Sequence, residues 1–269
     1  MQFDSDLEQQ IYEAAVLPEH WPAVLRRLAE RAESVGAVIF GNTDQGLRWV
    51  ASPEVRRQME IFLSEGWYLQ NSRAENGFRK GLALEPRFLT ESDIYDGDEY
   101  ERDPLYTDYF RPHGLGWSAG TIVTLPRGDF ITISVERAYD CGPMTPEALS
   151  LLNGYRPHLA RSAMLATRLA FERTRTAVDT LAMLGMAAFA VSDTGRLIIA
   201  NSEFEADDRR WTTRAGDRLA FRDERANRLF YDALDLISTE SGVRSIPHIG
   251  EDPDDRAVLH IVPIRRGAH

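Results

Sequence analysis

The longest uninterrupted pattern in the chain starts at Thr145 and runs to about Leu184. Thr145 is a helix N-cap residue, Pro146 suits the first helical position, and Glu147 puts an acid in the first turn. Ala148, Leu152, Tyr155, Leu159, Ser162, Ala166 and Leu169 then recur at a 4-3 spacing, the seam of a dimer helix or coiled coil. The spacing predicts one helix of about 40 residues, with Leu152, Tyr155, Leu159, Ala166 and Leu169 against a second copy of the chain. Pro157 predicts a kink or local break, and Arg173 falls on the same stripe. Such a helix divides the chain into residues 1–144, the helix at 145–184, and residues 185–269.

Ahead of the long helix, residues 4–16 and 19–34 carry apolar side chains at helical spacing, among them Leu7, Ile11, Val24, Leu25 and Leu28. GAVIFG (36–41) and GLRWVAS (46–52) read as strands around an N-T-D-Q-G turn, with a helix after Pro53. Residues 66–103 read as irregular, and PLYTDYF (104–110) as a short helix. GWSAGTIVTLP (116–126) and GDFITISVERA (128–138) predict a hairpin about an R-G-D turn. Behind the helix, residues 186–201 read as two strands and SEFEADDRR as a short polar helix. NRLFYDALDLIS is amphipathic, with Leu229, Ala233, Leu236 and Ile237 on one side, and RSIPHIG and RAVLHIVPIRR read as strands. Ending on a strand leaves an open edge, so a further segment is expected beyond it. The elements together define an α+β chain.

The chemistry is narrowed mostly by exclusion. The 269 residues carry a formal net charge of −11, which opposes broad contact with nucleic acid. No apolar run reaches the roughly 18 residues of a membrane span, and the acidic, polar start is unlike a secretory signal. The lone cysteine, Cys141, has no partner in the chain and no basic neighbour to activate it, which fits a cytoplasmic location. Residues 91–108 hold eight acids against Arg102 alone and read as a solvated acidic loop. Its spacing fails as an EF-hand, because Glu101 and Thr107 stand where Gly and Glu are needed. The six histidines lack ligand spacing, so neither a metal nor another cofactor is expected.

Gly116-Trp117-Ser118-Ala119-Gly120 matches G-x-S-x-G, but a nucleophile elbow needs a strand before the serine and a helix after it. Here the strand follows, which reads as small residues letting a strand pass close to a neighbour. Gly114, Gly116 and Ala119 form a degenerate dinucleotide fingerprint with the same fault. Aromatic residues crowd the first 144 positions. Trp67, Tyr68, Phe88, Tyr106, Phe110 and Trp117 are the candidates to line a small-molecule site between the sheet and the 66–110 segment. Arg111 and His113 are the candidate polar anchors, arginine being suited to a carboxylate.

The start IYEAAVLPEHWPAVLRRLAE, the block DPLYTDYFRPHGLGWSAG, and YRPHLARSAMLATRLA leading into GMAAFAVSDTGRLIIAN resemble bacterial LuxR-type transcriptional regulators. The resemblance implies two GAF/PAS-like modules with antiparallel sheets joined by a long helix, the last module truncated. It implies a homodimer that senses an unknown small-molecule effector. DNA would be reached through a C-terminal helix-turn-helix domain absent from these residues. No acyl-homoserine-lactone pocket aligns residue by residue, so the quorum-sensing subgroup is not implied. Two rival classes stand beside this one: a hydrolase-like enzyme using Ser118, and a dimerisation scaffold without a ligand.

Overall fold

The computed structural model describes residues 5–43, 46–125, 129–207, 209–237, 242–249 and 256–264. It divides into two compact units. Residues up to Thr43 together with Leu47–Thr167 form the first, and Arg168 onward the second. The N-T-D-Q-G and R-G-D turns include positions 44–45 and 127–128, which lie outside the described residues.

The first unit opens with α1 (Ser5–Val16) and α2 (Trp21–Arg31), then β1 (Gly36–Thr43) and β2 (Gly46–Ala51). Helices α3 (Arg56–Ser64), α4 (Ser72–Arg79) and the single turn α5 (Glu91–Ile94) follow. A π-helical stretch, Leu105–Phe110, leads into β3 (Leu115–Thr124) and β4 (Phe130–Ala138), and then the long α6 (Pro146–Met183) begins. The strands make one sheet in the order β2-β1-β4-β3, with β1 and β3 antiparallel to β4.

Strand parity sorts the side chains into two layers. Ala37, Ala119, Ile133 and Val135 share one face, packed with Leu7 and Ile11 of α1, Leu25 and Leu28 of α2, and Leu152, Tyr155 and Leu159 of α6. On the other face Val38 joins a second core with Met59 and Phe62 of α3, Ile94 of α5, and the π-helical Leu105, Tyr106, Tyr109 and Phe110. The sheet is thus a middle layer between two helical ones.

The stripe on α6 is present, but its partner is the chain itself. Leu152 and Leu159 are completely buried in the first core, and the Ser162 hydroxyl donates to the Ile11 carbonyl at 2.6 Å. Leu152, Tyr155 and Leu159 are therefore not free to meet a second copy, as their spacing had predicted. A 4-3 pattern specifies an apolar stripe and leaves open which surface covers it. Ala166 and Leu169, further along, are half-buried. The helix also passes unbroken through Pro157, held on either side by the buried Tyr155 and Leu159. Thr145 caps it as expected, accepting from the Ala148 N–H at 3.2 Å.

Residues 66–103 hold more regular structure than their composition predicts: α4, α5, and 3-10 turns at Trp67–Gln70 and Glu99–Glu101. Helix α4, SRAENGFR, has too few apolar residues to show a period; its signal is the N-cap, where Asn71 Oδ1 accepts from Ala74 N–H at 3.3 Å. The acidic loop is only partly solvated, since Glu91 is buried.

The second unit contains β5 (Phe189–Val191), β6 (Leu197–Ala200), α7 (Ser202–Glu205), β7 (Trp211–Arg214), β8 (Arg218–Phe221), α8 (Glu224–Ile237), β9 (Arg244–Ile249) and β10 (Arg256–Ile261). Its strands pair as three antiparallel hairpins, β5-β6, β7-β8 and β9-β10, with one bridge between Arg196 and Arg218. The β7-β8 hairpin was not legible in the sequence. Helix α8 buries Ala226, Phe230, Ala233 and Leu234 against Phe204, Leu219 and Phe221, while Leu229 and Leu236 are exposed. The apolar face is thus rotated from the expected one toward Phe230, whose ring has the most surface to bury.

Candidate functional site

In the first unit a cavity of about 290 Å³ lies between the sheet and the α3–α4 layer. Parity in FITISVERA places Ile131, Ile133 and Val135 toward the helices α1, α2 and α6, and Phe130, Thr132, Ser134 and Glu136 toward the cavity. Val38 and Phe40 of β1 and Ser118, Gly120 and Ile122 of β3 complete that wall. Met59 and Phe62 of α3, Arg73, Ala74 and Gly77 of α4, and Phe110 close the opposite side. A Cβ built on Gly120 would meet nothing nearer than the Ile133 carbonyl at 4.0 Å, so this glycine leaves space. The backbone of Gly120 exchanges hydrogen bonds with Leu89 (2.7 and 2.8 Å), which ties the connecting segment to the edge of β3.

The wall is mainly apolar except at one corner, where the sheet register sets Ser118 beside Glu136. Arg73 Nε donates to the Tyr106 hydroxyl at 2.8 Å, and Nη1 donates to Glu136 Oε2 at 3.0 Å. Its Nη2 lies 3.7 Å from Glu91 Oε1. Glu91 Oε1 accepts from the Tyr106 hydroxyl at 3.0 Å and the Ser118 hydroxyl at 2.8 Å. The Ser134 hydroxyl donates to Glu136 Oε1 at 2.6 Å. The guanidinium lies 3.7 Å from the centre of the Phe110 ring, a close cation–π contact. Burial alone would lower the Arg73 pKa, but Tyr106, Glu136 and Glu91 outweigh it and raise the value, so the cation is fixed. Burial likewise pushes the Tyr106 phenol well above its usual range. The corner is a buried, charged network at the end of an apolar chamber.

No protein-family model matches the chain, and no curated protein matches it. Partial likenesses are found among solved structures. The LBD domain of VqsR from Pseudomonas aeruginosa is 16% identical with a TM-score of 0.48, over 61% of this chain and 96% of that one. CepR2 from Burkholderia cenocepacia, an N-acylhomoserine lactone dependent LuxR family transcription factor, is 14% identical with a TM-score of 0.40, over 61% and 97%. SdiA in complex with octanoyl-rac-glycerol is 16% identical with a TM-score of 0.41, over 63% of this chain and 62% of that one. CepR2 is by its description of the family that the sequence blocks resemble.

Of the residues singled out by sequence, Tyr68 and Phe110 line the cavity. Trp67 packs beside it, its ring 5.8 Å from Tyr109 and its Nε1 donating to Glu65. Tyr106 stands behind Arg73, fully buried. Phe88 lies in the core on the other side of the sheet. Trp117 turns to Tyr139, donating to its carbonyl at 3.0 Å. Arg111 donates to the Glu101 carbonyl and stacks over Tyr139, and His113 Nδ1 lies 2.6 Å from the Tyr109 carbonyl; neither belongs to the cavity wall. The arginine of the site is Arg73, and Glu91, Ser134 and Glu136 complete the corner. The available signal was in β4, where the residues facing away from the apolar row include Thr132, Ser134 and Glu136. A polar row on a central strand of a sheet covered on both faces marks a place where something other than core is met.

Ser118 lies within β3, which continues to Thr124, so the strand-to-helix geometry of a nucleophile elbow is absent. The motif's first glycine has a packing role: a Cβ on Gly116 would fall 2.6 Å from the Tyr139 ring and 2.9 Å from its Cα. Cys141 is exposed in a 3-10 turn. Among the described residues no group of three or more His, Cys, Asp or Glu is placed to hold a metal. No helix among them is long and apolar enough to cross a membrane.

Proposed function

We propose that the first unit is the sensory domain of a cytoplasmic, LuxR-type transcriptional regulator. It binds a small, mostly apolar molecule in the cavity between the sheet and α3–α4, without turning it over. The observation that carries this reading is the combination of an open apolar chamber with one buried polar corner built from five separate elements: α4, α5, the π-helical stretch Leu105–Phe110, β3 and β4. At about 290 Å³ the chamber falls near the lower end of the range for ligand pockets, roughly 300–1,000 Å³. A closed core would fill such a space, since an empty apolar cavity costs stability in proportion to its volume. The ligand acts through its different affinity for two states of the chain.

A thermal-shift screen of uncharged, mostly apolar small molecules tests the reading. A ligand present at a hundred times its Kd adds about 2.7 kcal/mol of stability, a readily measured rise in Tm. Gly120→Leu places a side chain in the open space of the cavity and should abolish the shift while leaving the chain folded. Ligands that stabilise both forms equally would place binding elsewhere.

A further inference from the structure

The cavity wall is also held from outside, by the long helix. β3 is an edge strand, paired on one side with β4, so the backbone groups along its outer edge must be answered by something other than a strand. Leu89 exchanges both backbone hydrogen bonds with Gly120. Arg156 of α6 donates from Nη2 to the Ile122 carbonyl at 3.0 Å and from Nε to the Thr121 hydroxyl at 2.8 Å. Asn153, about one helical turn earlier on the same face of α6, accepts the Phe88 N–H at 2.8 Å through Oδ1. Leu89, Gly120, Thr121 and Ile122 all line the cavity, whereas Asn153 and Arg156 do not. We propose that Asn153 and Arg156 form a clasp through which α6 responds to filling of the cavity. This rests on the cavity being the ligand site.

The wall at Gly120 has no side chain, so a molecule in the cavity meets the backbone of β3 there. A shift of that backbone changes the hydrogen bonds on its outer edge, which are the bonds to Leu89 and to α6. Leu152, Tyr155 and Leu159 hold the same stretch of α6 by apolar burial, which is non-directional. The clasp depends on distance and angle, so it is the contact that senses a small displacement of the wall. Arg156 is half-buried, makes no ion pair among the described residues, and burial lowers its pKa. A partly buried cation answered by neutral oxygens alone costs desolvation, which closing a strand edge does not require. The helix itself runs on past Thr167, where the first unit ends, to Met183. A molecule that fits the cavity only with the wall in this position favours the clasped state.

Such coupling is reciprocal, which gives the test two readouts. Naphthalene, an apolar probe without a polar head, is titrated into the full chain, and amide hydrogen exchange is followed along α6 by mass spectrometry. Bound naphthalene should slow exchange over residues 149–160 by about fivefold or more. In Arg156→Met it should bind about fivefold more weakly and leave exchange in α6 unchanged; Arg156→Lys, which keeps the charge and loses the fork, should fall between. If Arg156→Met fails to fold, Asn153→Ala supplies the same two readouts. A clasp with a purely structural role would lower the urea midpoint of Arg156→Met and move neither readout. That result, or exchange in α6 of the unaltered chain that ignores bound naphthalene, would overturn the proposal and leave the cavity reading intact. Failure of naphthalene to bind, or binding that survives Gly120→Leu, would overturn both.

Discussion

At Arg73 a single guanidinium answers Glu91 and Glu136, with Tyr106 hydrogen-bonded between them. Both carboxylates are buried, so removing the cation strands two charges away from water. Arg73→Ala should cost about 3–5 kcal/mol, read as a lower urea midpoint; Arg73→Lys keeps the charge, loses the fork, and should cost less. An unchanged midpoint for Arg73→Ala would mean the corner is not the charged network described. Nearby tyrosines give a second handle. Burial pushes the Tyr95 phenol up to about 12, and holds those of Tyr106 and Tyr109 up as well. A pKa raised on folding means the neutral phenol is favoured in the native state. Its stabilising effect is complete below the unfolded value of about 10 and is lost as pH rises toward the folded value. Stability should therefore fall between about pH 10 and 12, with the tyrosinate absorbance of this group appearing together with unfolding. Tyrosinate forming at Tyr95, Tyr106 or Tyr109 in the native chain near pH 10 would contradict their burial.

For the elements, the sharpest lesson is α6. Its stripe was legible from spacing alone, and so was its cap at Thr145, because both depend on local chemistry. What covers the stripe depends on α1, α2 and the sheet, and no local pattern encodes that. A test follows from where the residues ended up. Leu159→Asp places a charge in a fully buried position and should cost roughly 4 kcal/mol or more, unfolding the first unit instead of separating copies of the chain. Leu169→Asp, at a half-buried position, should leave the first unit folded. Circular dichroism on the two variants distinguishes these outcomes; a folded Leu159→Asp variant of reduced size would restore the dimer seam. The strands β1, β3 and β4 were legible because their apolar rows repeat every second residue. Helix α4, short and polar, and the hairpin β7-β8, whose strands have four residues each, were not; α4 happens to carry Arg73.

At the scale of the molecule, the α+β character and the order of the elements were readable, while the site was readable only in place. The segment 66–110 does border the cavity, as its aromatic content indicated, but aromatic residues such as Phe88 and Trp117 were claimed by cores and neighbours outside it. Aromatic rings serve packing as well as binding, so composition does not separate the two. Buried polar groups separate them better, because each must be answered by a partner. The central claim is that a small molecule occupies the cavity behind Gly120. Native mass spectrometry, after the chain is incubated with an extract of small metabolites and desalted, tests it directly. The account predicts one discrete added mass per chain, released on denaturation and absent from folded Gly120→Leu. An added mass carried equally by both forms, or by neither, would contradict it.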